Sequence, residues 1–175
     1  LLIEKNYPNA IQWLKDTLSK MVKGQFDRKY FIISKSLNNF YKNPETIAHK
    51  VLADRIGQRD PGNKPKTNDR IPFMYIQIKE REQIGYRMKV IEVSNGTYKN
   101  GKPKTKKIRV EDLTQPKYKK LTIKPGDRIE NPDYIQNHNL PIDYNYYITN
   151  QIMKPFEQVL RLHTDYEEGL FETYL

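Results

Sequence analysis

No cysteine occurs anywhere in the 175 residues, which excludes disulfides, thiolate zinc sites and cysteine nucleophiles from the chain and leaves its compartment open. No apolar run approaches the roughly 20 residues that a membrane helix needs, so no membrane partner is expected. The opening Leu1-Leu2-Ile3-Glu4-Lys5 lacks an initiator Met and the layout of a signal peptide, and such a start suggests a fragment of a longer polypeptide. Histidine is scarce, and His49, His138 and His163 do not stand at metal-ligand spacing from one another. Acidic residues are the minority charge. The 21 Asp and Glu face 31 Lys and Arg, and the net +10 makes a polyanion the most economical partner.

What is present suffices for a modest core in one domain or subdomain, since 37% of the residues are hydrophobic. Residues 9–23 place Ile11, Leu14, Leu18 and Val22 on one helical face, with Asn9 as N-cap and Gly24 as stop. Tyr30 to Ser34 has strand character. Asn43-Pro44-Glu45-Thr46 sets a cap and an early Pro before a second helix whose Ile47, Val51, Leu52 and Ile56 repeat toward Gly57. Residues 59–69 are dense in turn formers and predict a loop, followed by strands over 71–78 and 86–93. Tyr98 to Lys107 predicts another loop, rich in Lys, Gly and Pro. Asp143 is placed to cap a final helix reaching about His163, with a kink at Pro155, whose ring collides with the carbonyl of Gln151.

Most of the excess charge is local. Between residues 99 and 128 there are eleven cations against Glu111, Asp112 and Asp127. Runs of this kind in loops are usually solvated and inert, but this one exceeds what solubility requires. His138 and His163 are most simply solvated. The Tyr144, Tyr146 and Tyr147 group could form a base-stacking platform, but its place on an apolar helix favours packing with a buried hydroxyl.

Three strings, in order, resemble the C-terminal portion of family B DNA polymerases, the class of the eukaryotic replicative enzymes and of many large DNA viruses. The first is Phe31-Ile32-Ile33-Ser34-Lys35-Ser36-Leu37 with Tyr41, Pro44 and His49 following. The second runs from Leu52 to Phe73, with Ala53, Arg59-Asp60-Pro61-Gly62, Pro65 and Asp69-Arg70-Ile71-Pro72-Phe73; Asn68 stands where the family usually has Gly. The third is Leu140-Pro141-Ile142-Asp143-Tyr144-Asn145-Tyr146-Tyr147-Ile148-Thr149-Asn150-Gln151-Ile152-Met153-Lys154-Pro155. They cover about residues 10–160, while 79–125 has no counterpart in the family core and reads as a lineage-specific insertion, pointing to a member from a large DNA virus.

The resemblance implies an α+β, mainly helical thumb subdomain over 1–175, with a small β element carrying the inserted basic segment. It implies a nucleotidyltransferase in which this piece grips double-stranded primer–template DNA, beside the palm and fingers of the same polymerase. Two magnesium ions would belong to the parent enzyme's palm, with no cofactor in this chain. No Asp-x-Asp pair occurs here, so the fragment alone is expected to be inactive. The implied location is intracellular, at sites of DNA replication in the nucleus or a cytoplasmic viral factory.

The residues expected at DNA are Lys35, His49, Arg59, Arg70, Lys104, Lys106, Lys107 and Lys154, all as backbone contacts without base readout. Plainer roles compete: a solvated Lys35, pairing of Arg59 and Arg70 with Asp60 and Asp69, and a helix-surface His49. Lys154 is the expected phosphate contact of its helix, with Asn150 or Gln151 serving backbone groups near the kink. Two other readings stay open on the residues alone. One is a free-standing basic nucleic-acid-binding protein; the other is an interaction module whose tail, Tyr166 to Leu175, docks a partner such as a processivity factor.

Overall fold

In the computed structural model, which describes residues 6–163, 166 and 168–175, the first helix starts at Asn6 and not at Asn9. The Asn6 side chain accepts the Asn9 N–H at 3.3 Å, and helix α1 spans Tyr7–Val22 with Pro8 in its first turn, where a missing N–H costs nothing. Gly24, at φ 68°, ends it as expected. The buried stripe is Tyr7, Leu14, Leu18 and Met21, so the face is rotated away from Val22, which is 46% exposed. The opening residues Leu1 to Lys5 lie outside the described residues.

The predicted strand at Tyr30 begins later. A 3-10 turn covers Arg28–Phe31, and strand β1 is Ile33–Ser36. Pro44 opens only a 3-10 turn, Pro44–Thr46, and helix α2 then runs Ala48–Arg59 through Gly57. Gly57 is therefore not a stop. A Cβ there would lie 2.6 Å from Lys64 Cγ, and the glycine lets the loop that follows pack against its own helix. Strand β2, Arg70–Tyr75, pairs antiparallel with β1 through Ile33↔Phe73 and Lys35↔Ile71. Asn68, where the family usually has Gly, adopts φ 70°, and this left-handed turn into β2 is what makes glycine suitable there; Asn is among the side chains that tolerate it.

Among the described residues, strands β3, Arg81–Thr97, and β4, Pro103–Lys120, pair only with each other. Strand β5, Ile129–Glu130, completes a three-stranded antiparallel sheet in the order β1-β2-β5. Helix α3, Pro132–His138, is capped by Asn131, and α4, Tyr144–Tyr147, by Asp143, which accepts the Tyr146 N–H at 3.0 Å as expected. Ile148–Met153 forms a wide π-helical segment leading into α5, Lys154–Leu160. The predicted kink at Pro155 is thus taken up by widened turns just before it. Asn150 serves the backbone there, donating to the Tyr146 carbonyl at 3.1 Å.

The chain divides into two compact units: residues up to Ile78 together with Lys124–Leu175, here the body, and Lys79–Ile123, here the hairpin. In the body, period-2 alternation along β2 feeds two cores. Ile71 and Phe73 join Leu37, Leu52, Ala53 and Ile129 beneath α2. Met74 and Ile76 face the other way, to α1, Phe31, Tyr147, Ile148 and Leu160. Leu18 and Leu52 are fully buried, each contributing about 1.5–3 kcal/mol. Tyr147 settles the tyrosine question in favour of packing: its hydroxyl donates to the Phe31 carbonyl at 2.6 Å and accepts the Tyr75 N–H at 3.0 Å, and burial pushes it up to about 12. Tyr146 stacks on Tyr75. Phe171 of the tail is buried in the same core with Leu170 and Tyr174 beside it, while Glu167 lies outside the described residues.

The architecture is mixed α+β, but not mainly helical, because the hairpin alone supplies strands of 17 and 18 residues. Tyr98 to Lys107 is likewise not one loop. A tight turn, in which Lys102 accepts the Tyr98 N–H at 2.9 Å, hands directly to β4. The strand was hidden because it buries no alternating apolar face; its order comes from the backbone ladder with β3.

Candidate nucleic-acid interface

The sheet edge formed by β1 and the start of α2 gathers two of the expected residues. Lys35 is exposed on β1, and His49 is near enough for the Lys35 charge to act on it. Burial first, and Lys35 second, hold the His49 imidazole below its ordinary value, against a Ser36 backbone bond that raises it. The ring is further fixed by the Tyr41 hydroxyl at 3.2 Å. Arg70 sits one register step from Lys35, opposite Ser36, and so on the other face of the sheet. It bonds Ser34 through Oγ at 3.2 Å and through the carbonyl at 3.1 Å. Arg70 also lines an open cleft of about 650 Å³ with Lys64 and Lys66, two cations that the sequence pattern did not single out. Their signal was their position either side of Pro65, in a loop bound to be exposed. Asp69 there accepts the Lys66 N–H at 2.7 Å.

Arg59 is placed differently. Its guanidinium donates to Glu130 at 2.9 Å and lies 3.7 Å over the Tyr134 ring, while Arg55 donates to the same carboxylate at 3.0 Å. Neither Asp60 nor Asp69 takes the pairing anticipated: Asp60 accepts from Asn63 at 2.6 Å. Burial pushes the Glu130 carboxyl up, but the bonds from Arg59, the Asn131 N–H and Arg55 prevail and hold it below the usual carboxylate range. The cluster clamps α2 to β5. Lys154 is exposed at the start of α5 and donates to Asn150 Oδ1 at 2.7 Å.

Lys104, Lys106 and Lys107 stand on β4 of the hairpin. Lys107 lies 3.5 Å from Glu92, Lys106 is opposite Val93, and Lys104 is 5.5 Å from the centre of the Tyr98 ring. The hairpin holds thirteen Lys and Arg against five Asp and Glu, while the rest of the chain holds eighteen against sixteen. All but +2 of the net charge is therefore in the hairpin. The other histidines are not simply solvated: His138 stacks on Tyr134 and His163 on Tyr7, each with ring centres 3.8 Å apart.

Among the described residues no helix is long and apolar enough to cross a membrane. Among the described residues no three His, Asp or Glu side chains gather where they could hold a metal ion. The described residues thus form a mixed α+β body and a β-hairpin that carries most of the positive charge. The profile of DNA polymerase family B matches residues 1–162, and the chain belongs to that family. It is 41% identical over 165 residues to a DNA polymerase of Acanthamoeba polyphaga mimivirus, covering 94% of this chain and 8% of the viral protein. It is 37% identical over 162 residues to a DNA polymerase of Pyramimonas orientalis virus, covering 93% of this chain and 10% of that protein. The DNA polymerase delta catalytic subunit of Glycine max is 26% identical over 166 residues, covering 92% of this chain and 12% of the plant protein. The chain thus spans about a tenth of the length of the curated relatives it matches.

Proposed function

We propose that this chain is the thumb portion of a DNA-directed DNA polymerase of a large DNA virus, gripping the primer–template duplex as it leaves the active site. The observation that carries this is the family match across residues 1–162 of a chain that has no Asp-x-Asp pair of its own. Catalysis, its magnesium ions and the palm and fingers then belong to the remainder of the enzyme, and the setting is wherever viral DNA is replicated. On this reading residues 79–123 are the lineage's own addition to the thumb.

The work assigned to the chain is electrostatic and geometric. Lys35, Arg70 and Lys154 on the body, and Lys104, Lys106 and Lys107 on the hairpin, neutralise phosphates without reading bases, as a replicase requires. Holding the duplex keeps the primer hydroxyl in line with the incoming nucleotide, so the contribution to rate is one of orientation. Arg59 acts here as a positioning residue, since its guanidinium is held by Glu130 and Tyr134. Phe171 of the tail is packed into the core and so is not free to dock a processivity factor.

The test is the affinity of the chain for primer–template duplex, single strand and heparin across a salt series. Duplex binding should weaken steeply, the slope of log K against log salt falling by roughly 0.9 for each phosphate neutralised. Equal affinity for heparin and duplex at every salt concentration would overturn the proposal.

A further inference from the structure

The hairpin's cations are not evenly matched by acids. Two cations of its outer half meet acidic neighbours, Lys107 with Glu92 and Lys89 with Asp112, each at 3.5 Å. Nearer its base the ladder is broken twice. Ile84 is an extra residue between the pairs Gln83↔Tyr118 and Gly85↔Lys117, with Gly85 at φ 140°. Residues 113–115 are extra between Arg87↔Asp112 and Tyr86↔Pro116. The second bulge is built, not loose: Asp112 accepts the Thr114 N–H at 3.1 Å and its hydroxyl at 2.7 Å. Bulges bend a ribbon and redirect its side chains.

Here they open a groove of about 640 Å³ on the hairpin, lined by Arg81, Arg87 and Lys117, by the rings of Tyr86 and Tyr118, and by Met88, with no acidic side chain among the lining residues. None of the three cations has an acidic partner among the described ion pairs. Tyr118 is 53% exposed and Met88 57%, so ring and thioether face solvent. Cations outside the described ion pairs, beside the exposed Tyr118 ring and the half-buried Tyr86, suit a ligand that is both anionic and planar. A closed duplex offers phosphates but hides its base faces in the stack, whereas an unpaired strand offers both.

We propose that this groove binds single-stranded DNA, with Arg81, Arg87 and Lys117 on successive phosphates and bases stacked on Tyr118 and Tyr86. The site goes beyond the duplex grip assigned to the thumb and stands on the hairpin's own geometry. It gives the chain a second polynucleotide site, selective for strand state and indifferent to sequence, because every base has a face to stack.

The probe is fluorescently labelled oligothymidylate, read by anisotropy with the whole chain, beside a blunt duplex and heparin. Replacing both rings, Tyr86→Leu with Tyr118→Leu, should weaken oligothymidylate binding about tenfold and leave duplex and heparin binding within about twofold. Arg87→Gln should lower the single-strand salt slope by roughly 0.7. Because a double substitution can disturb the ribbon, a second measurement uses the unaltered chain: 5-iodouracil oligonucleotides irradiated in complex should crosslink to Tyr86 or Tyr118. Crosslinks confined to other residues, or equal losses for oligothymidylate, duplex and heparin, would overturn the single-strand site. Loss of duplex preference over heparin would instead overturn the thumb reading.

Discussion

The body and the hairpin solve the problem of being ordered in opposite ways. Among its described residues the body buries nineteen hydrophobic side chains, and it carries eighteen cations against sixteen acids. The hairpin contributes none of that core; its one buried residue is Asp112, and it carries thirteen cations against five acids. A scaffold made of packing can stay nearly neutral, and an arm made of a backbone ladder is free to carry charge on both faces. Stability and polyanion affinity should therefore separate along the same line.

The sharpest break in that comparison is in the core. Leu18→Ala should cost about 3–5 kcal/mol in the body, whereas Val90→Ala, at a site 58% exposed on the hairpin, should cost under about 0.5 kcal/mol, both read from urea unfolding midpoints. Excising the hairpin by joining Ile78 to Lys124 through a flexible linker should do the reverse. Duplex affinity at low salt should fall about a hundredfold and its salt slope should flatten, while the thermal midpoint of the body stays within about 3 °C. A body that unfolds without the hairpin would refute the division.

Glu130→Gln tests the clamp between α2 and β5. Removing one partner of a buried ion pair commonly costs about 3–5 kcal/mol, but Arg55 and Arg59 are partly solvated, so about 2 kcal/mol is expected from denaturant titration. The sign with pH follows from its depressed carboxyl: the contribution is complete above the ordinary 4.5 and disappears as pH falls through the lower folded value, and Glu130→Gln should be less acid-sensitive. The smallest effect belongs to His49. Its folded value lies below the ordinary 6.5, so the body is most stable above that pH and loses a little as the pH drops below it. If Lys35 and His49 share a phosphate, duplex binding should tighten up to about threefold between pH 7.5 and 6, and His49→Gln should abolish the change.

Much of the body was legible in the sequence because local rules govern it. Leu14 and Leu18 repeat at helical spacing, Gly24 stops α1, Asp143 caps α4, and the strand at Ile71 alternates into two cores. Asn9 was mistaken for the cap because Asn6 satisfies the same rule three residues earlier and has Pro8 behind it. The partner of Arg59 could not be found locally: Asp60 is adjacent in sequence, but Glu130, 71 residues away, is adjacent in space. Half of the hairpin was also legible, since the strand expected over 86–93 lies within β3, but β4 escaped for another reason. Apolar alternation marks strands that bury a face, and β4 buries none, so its cations looked like those of a loop. The groove cations Arg81 and Arg87 were missed with it, since they lie before the densest charge and only the bulges bring them to Lys117.

The wide segment Ile148–Met153 also keeps the final helices in phase. Leu160 follows Ile148 by twelve residues, and at the α-helical 100° per residue it would point roughly 120° away from it. Each residue of a wider turn sweeps a smaller angle, and both Ile148 and Leu160 are buried in the same core. The segment works as an angular correction placed just ahead of Pro155. A one-residue deletion within it would let regular α-helical turns do the same work, because eleven residues at 100° bring Leu160 back to within roughly 20° of Ile148, so the core would keep both side chains while the wide turn is lost.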